Sequence, residues 1–144
     1  MSANRYLRSL RLLAESYQAF ERLSGGHVRT LGLTPAQFDV VATLGNTPGM
    51  VFRELGEKTL ITKGTLTGVV ARLEDKGLVE RRVHATDRRS AVVRLTQAGE
   101  RLFARVFPEH VAFCRRAFAG WRAEDFTALE AQLGRLRGAL TRQG

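Results

Sequence analysis

Five arginines, Arg81, Arg82, Arg88, Arg89 and Arg94, crowd one short segment whose single acid is Asp87. Guanidinium groups at that density form either an ordinary solvated basic face or a phosphate grip, since each presents a planar fork of N–H donors that fits phosphate oxygens. Just upstream, Thr62, Lys63, Thr65 and Thr67 alternate with Gly64 and Gly68. Small hydroxyl donors and bare backbone beside a phosphate-gripping strip are tools for reading base edges in a groove. The tools of catalysis are not assembled: the chain shows no paired carboxylates, no nucleophile–base spacing and no phosphate loop, so no catalytic residue and no enzyme activity is expected.

The other chemistry-bearing residues are sparse. His27, His84 and His110 are scattered without a second ligand at helical or hairpin spacing, so neither a metal nor another cofactor is expected. Cys114 is alone, which excludes an internal disulfide and a Cys-x-x-Cys metal site and fits a reducing cytoplasm. It reads as a small core residue rather than a redox sensor. The 23 basic residues outnumber the 14 acids, for a formal charge of +9. That excess favours a polyanionic partner through counterion release. Only Lys58, Lys63 and Lys76 are lysines; bidentate contacts and the codon bias of a GC-rich genome explain this equally well. Neither a signal-peptide core nor an apolar run of roughly 20 residues is present, so a soluble, cytoplasmic protein without membrane attachment is expected.

These groups must be positioned by a chain of 144 residues, enough for one domain with a core. Leu7, Leu10, Ala14 and Tyr17 fall at helical spacing within a first helix from Asn4 to about Leu31, which Ser24-Gly25-Gly26 interrupts or ends early. Thr34-Pro35-Ala36-Gln37 is a capping-box start for a second helix, with Phe38, Val41, Ala42 and Leu44 inward. Asn46-Thr47-Pro48-Gly49 breaks it, and a short third helix runs from about Val51 to Lys58. Thr62 caps a fourth helix whose Leu66, Val69, Val70 and Leu73 are buried while Thr65, Gly68 and Arg72 share another face. The third and fourth helices form a helix-turn-helix. Leu78 to Thr96 reads as a hairpin, Val79 and Val83 on one face, Ala91, Val93 and Leu95 on a face of the returning strand. Thr96 caps a fifth helix to about Ala119 that Pro108 should kink, and Phe126, Leu129, Leu133, Leu136 and Leu140 repeat as a packing stripe in a last helix.

A recognition-type helix followed by an arginine-rich ribbon resembles the MarR-type winged-helix transcription regulators. The ribbon carries that family's wing signature in Asp87, Arg89, Val93, Leu95 and Thr96, and Lys63, Thr65, Thr67, Leu73, Gly77-Leu78-Val79 and Ala98-Gly99 are similar around it. The resemblance spans essentially the whole chain. It implies an α+β, mainly α, winged helix-turn-helix with long N- and C-terminal dimerisation helices. The whole of residues 1–144 would form one domain, with a DNA-binding lobe over about 34–96 and a helical lobe from about 4–31 and 97–142. The partners implied are double-stranded DNA, a second copy of the chain in a homodimer, and a small aromatic or anionic effector.

Carried over by position, Thr65, Thr67 and Gly68 lie at base edges, Lys63 and Arg72 near phosphates, and Arg88 or Arg89 at the wing tip. Arg53, Thr62, Arg82, His84 and Ser90 complete the implied DNA-binding set. Asp87 either orients an arginine across the loop or simply closes a turn. Many relatives have serine and arginine where this chain has Gly64 and Gly68, so two side-chain contacts are missing and DNA shape carries more of the reading. The implied effector cleft draws on the first, second and fifth helices: Tyr17, Phe20, His27, Phe38 and Phe107 as aromatic walls, Arg11 or Arg105 to meet a carboxylate. Each of these is also an ordinary packing residue. The function implied is a homodimeric repressor on a pseudopalindromic operator, relieved by a ligand. Its alternatives are a sequence-tolerant architectural protein, an activator or antirepressor, and a helical module that binds another protein through the C-terminal stripe.

Overall fold

Helix α1 (Tyr6–Thr30) runs through Ser24-Gly25-Gly26 without interruption, against the expectation of a break. Gly25 is buried there, and a Cβ on it would stand 3.2 Å from the Arg29 guanidinium and 3.4 Å from the Pro35 ring where the next helix begins. The structure, a computed structural model, describes residues 3–84 and 87–142, without the side chains of residues 84–90. Internal contacts divide the chain into two compact units, Met1–Phe113 and Cys114–Gly144.

In the first unit, Gly32 turns the chain out of α1 at φ +85°. Helix α2 (Pro35–Leu44) opens with the expected capping box: Gln37 N donates to Thr34 Oγ1 at 3.1 Å and Thr34 N to Gln37 Oε1 at 3.0 Å. A two-residue strand, β1 (Met50–Val51), leads into α3 (Phe52–Thr59). Leu60 then takes the left-handed conformation at φ 62°, its N–H on the Gly56 carbonyl, and turns the chain toward α4 (Lys63–Asp75). Thr62 holds the N-cap position of α4, but its hydroxyl donates to the Thr65 hydroxyl at 3.0 Å rather than accepting a backbone N–H.

Strands β2 (Val79–His84) and β3 (Asp87–Leu95) pair antiparallel, and β1 adds to the other edge of β3, for the order β1-β3-β2. Val79 and Leu95 face each other, as do Met50 and Val93. A register shift between Arg82 and His84 turns the ribbon, so Val83 is exposed while Val79 is buried, and the two do not share a buried face. Thr96 links the hairpin to α5 (Gln97–Arg115), donating to the Gly77 carbonyl at 2.6 Å and accepting from Gly99 N at 3.1 Å. Helix α5 continues past Pro108 but stops at Arg115, short of the expected Ala119, and a 3-10 turn covers Arg116–Phe118.

The core of this unit joins Val40, Val41 and Leu44 of α2, Leu55 of α3, Leu66, Val69, Val70 and Leu73 of α4, and Met50, Val79, Val93 and Leu95 of the sheet. A smaller cluster of Val28, Leu33 and Val106 ties α1 to α5. In the second unit, Phe118, Trp121 and Phe126 form an aromatic knot around Gly120, and α6 (Ala123–Thr141) starts with Arg122 N donating to Asp125 Oδ2 at 2.8 Å. No helix among the described residues is long and apolar enough to cross a membrane.

Two glycines give opposite expectations. A Cβ at buried Gly99 would collide with the Leu78 carbonyl, so Gly99→Ala should cost about 1–3 kcal/mol. At Gly64 a Cβ meets nothing within 4 Å, so Gly64→Ala should gain about 0.5–1 kcal/mol of helix stability. Urea unfolding midpoints check both signs, and a stability loss at Gly64→Ala would contradict an open α4 face.

Candidate nucleic-acid interface and effector cleft

With its apolar stripe buried, α4 turns Lys63, Gly64, Thr65, Thr67 and Arg72 outward. Hydroxyl geometry divides the threonines. Thr67 Oγ1 donates to its own helix at the Lys63 carbonyl, 3.2 Å away, and Thr62 donates to Thr65. Thr65 accepts in that bond and so keeps its own proton for an outside acceptor. Gly64 leaves open backbone, while the Arg72 guanidinium lies 3.6 Å from where a Cβ at Gly68 would stand, folded across the bare helix surface. Arg53 is exposed near the start of α3.

On the ribbon the arginines are not equivalent, because acids from outside the segment pair with some of them. Arg81 Nε donates to Glu74 Oε1 at 2.7 Å and its guanidinium covers the Phe52 ring at 5.1 Å, which clamps β2 onto α3 and α4. Arg94 is bonded to Glu80, and Arg82 reaches the same carboxylate at 3.6 Å while remaining largely exposed. The Arg94 hydrogen bond holds the Glu80 carboxyl below its usual range. Two carboxylates outside the arginine segment therefore offset part of the charge of its three stem arginines. The side chains of His84, Asp87, Arg88, Arg89 and Ser90 lie outside the described residues; their backbone forms the end of β2 and the start of β3, where His84 pairs with Asp87.

A second feature lies on another side of the same unit, a cleft of about 640 Å³ lined from α1, α2, the α3–α4 turn and α5. Tyr17, Phe20 and Phe38 line it, whereas Arg11, His27, Arg105 and Phe107 are not among its lining residues; Arg11 instead sits 3.5 Å from Glu15 in an exposed pair. Phe107 stacks on Phe38 and Phe103. The charged residues of the lining are Glu21, Arg29 and Asp39, none of which the spacing of the sequence singled out.

Behind the aromatic wall, His27 Nδ1 and His110 Nδ1 are 2.9 Å apart, and His110 Nε2 is 3.1 Å from Ser24 Oγ. Such a bond requires one ring to donate and the other to accept. Burial, and then the neighbouring His27, push the His110 pKa down, so His110 is neutral at neutral pH. The rings are 83 positions apart in sequence, which no spacing rule could join. His27 also stacks on Phe113 at 4.0 Å between centroids. Among the described residues no three His, Cys, Asp or Glu side chains are placed to hold a metal.

Comparison with known proteins agrees with this geometry. The MarR family model matches residues 31–90. The HTH-type transcriptional regulator MhqR of Bacillus subtilis is 32% identical over 108 residues, covering 73% of this chain and 74% of that protein. AbsC, a MarR family transcriptional regulator from Streptomyces coelicolor, superposes with a TM-score of 0.84 at 26% identity, over 98% of this chain and 97% of that one. BpsR of Bordetella bronchiseptica, whose DNA binding is regulated by 6-hydroxynicotinic acid, superposes with a TM-score of 0.79 at 25% identity, over 90% and 98% of the two chains.

Asp39 yields a pH prediction. Burial lifts its carboxyl from an ordinary 3.8 to about 6, so the folded chain prefers the protonated form. The stability this contributes is complete below the ordinary value and is lost as pH rises through about 6. Asp39→Asn should therefore raise the melting temperature at neutral pH by a few degrees, with the gain vanishing as pH falls toward 3.8. Melting curves across that range check it; a pH-independent gain would place the cause elsewhere.

Proposed function

Because the chain belongs to the MarR family, and so is a DNA-binding transcription regulator, we propose that it acts as a homodimeric repressor released from its operator by a small aromatic effector. The observation that carries the DNA contact is the rotation of α4, which buries Leu66, Val69, Val70 and Leu73 and turns Thr65, Thr67 and Arg72 to solvent. In this reading Thr65, Thr67 and Gly68 meet base edges. Thr62, Lys63, Arg53 and Arg72 meet phosphates, and Arg82, His84, Arg88, Arg89 and Ser90 follow the backbone beside them. Asp87 orients the wing.

Dimerisation is supported by apolar side chains that a single copy leaves in water. On α1, Tyr6, Leu7, Leu12 and Leu13 are exposed, and on α6, Leu129, Leu133 and Leu140. Apolar surface on this scale marks an interaction site. A second copy is the natural cover, since a two-fold dimer presents two copies of α4 to successive half-sites. The DNA-binding lobe is then residues 34–96, and the N- and C-terminal helices form the dimer lobe. BpsR, which responds to an aromatic acid, supports an aromatic effector here, and the cleft is the place for it. The cytoplasm, where its DNA lies and where Cys114 stays reduced, is the compartment this reading requires.

The test is binding to the duplex upstream of its own gene against a scrambled duplex, over a salt series. Preference of about 10³-fold or more for the upstream sequence is expected, with a steep salt slope. Equal binding would favour the architectural alternative, to which the bare Gly64 lends support. Replacing Arg72 or Arg89 by alanine should each lower the slope by about one phosphate's worth while weakening all sequences alike. Leu133→Glu should yield monomers in sedimentation and remove operator binding; a dimer that persists would move the interface away from α6.

A further inference from the structure

Resting on the reading of the cleft as an effector site, we propose that this chain's cleft selects a cationic aromatic ligand, a small aryl-alkylamine whose nitrogen meets the Asp39 carboxylate while its ring lies among Tyr17, Phe20 and Phe38. The lining holds two carboxylates, Glu21 and Asp39, against one guanidinium, Arg29. Arg29 lies back over Gly25, its Nη1 3.2 Å from where a Cβ there would stand, and no described acid pairs with it. Arg11 and Arg105, which the sequence offered to a carboxylate ligand, are not in the lining, so Arg29 is its one guanidinium against the two carboxylates. His110, the remaining titratable group there with Tyr17, is neutral and engaged with Ser24 and His27.

Asp39 is half-buried, and among the described residues it has neither a hydrogen-bond nor an ion-pair partner. Burial raises its pKa, so its charged form is under-solvated in the cleft. A protonated amine compensates that charge. The aromatic walls act in the same direction, because ring faces attract cations and repel carboxylates. Glu21 hydrogen-bonds the Tyr17 hydroxyl, which holds that ring's phenol protonated and leaves its face to the ligand. Anionic ligands of the same shape would meet two carboxylates and lose those contacts.

The experiment compares two ligands with the same phenol ring, 4-hydroxyphenethylamine and 4-hydroxyphenylacetate, by calorimetry on the full chain at neutral pH and by release of the operator duplex. The amine should bind at least about tenfold tighter than the acid, and Asp39→Asn should erase that preference. Near pH 6 the amine should release protons on binding, seen as a dependence of the apparent heat on the buffer's ionisation enthalpy, and Asp39→Asn should abolish it. That signature would not follow from a merely structural role. Equal or tighter binding of the acid, or amine binding unchanged in a folded Asp39→Asn variant, overturns the proposal. If the acid binds and releases DNA while the amine does not, the charge assignment falls and the effector reading stands; if neither ligand binds or releases DNA, both fall.

Discussion

Burial of Leu66, Val69, Val70 and Leu73 fixes how α4 is rotated about its own axis, and the other features of the DNA-facing surface depend on that setting. Each such side chain contributes about 1.5–3 kcal/mol when withdrawn from water. Turning the helix by one residue would press the hydroxyls of Thr65 and Thr67 or the charge of Arg72 into a core of Val41, Leu44, Leu55 and Val93, where each unpaired polar group costs about 1–3 kcal/mol or more. Packing and desolvation therefore point the same way. The polar face is where it is because no other rotation is compatible with the core.

The ribbon is held to the same frame by electrostatics of a different kind. Arg81 bridges Glu74 of α4 and the Phe52 ring of α3, so a basic residue of the ribbon serves as a clamp. Arg94 and Arg82 share Glu80. These pairs are exposed, and each is worth little by itself. Their effect is one of distribution: positive charge is partly cancelled along the stem of the hairpin.

Local chemistry was legible where the interaction is local. Thr34 and Gln37 cap each other across three residues, so the start of α2 could be read directly, and the period of Leu66, Val69, Val70 and Leu73 gave the inner face of α4. Gly25-Gly26 misled because helix cost was weighed without tertiary return: Gly25 is small where Pro35 approaches. Strand β1 is two residues long and exists only because Met50 and Val51 pair with Val93 and Val92, far along the chain. Leu60 carries no sign in its side chain of the left-handed backbone it adopts. No spacing in the sequence marked Asp39. Only the fold brings it into a cleft with residues of α1 and α5, and the same helices bring His27 to His110.

Helix α2 gives the cleft a route to the DNA face. Phe38 and Asp39 line the cleft, while Val40, Val41 and Leu44 of the same helix are packed into the core that seats α4. The α3–α4 turn is shared too, since Thr59, Leu60 and Ile61 belong to the lining and Thr62 holds the N-cap position of the next helix. Leu60 holds its left-handed conformation with its side chain in solvent, so little packing opposes a change there. If the cleft takes an effector as proposed, a ligand that draws α1 toward α2 would either compress a close-packed core or shift α2 and the turn together. Because packed interiors resist compression, the shift would be the softer response, and it would carry the N-terminus of α4 with it. Charge at Asp39 would enter the same balance, because a ligand moves such an equilibrium only by binding one setting of α2 more tightly than another.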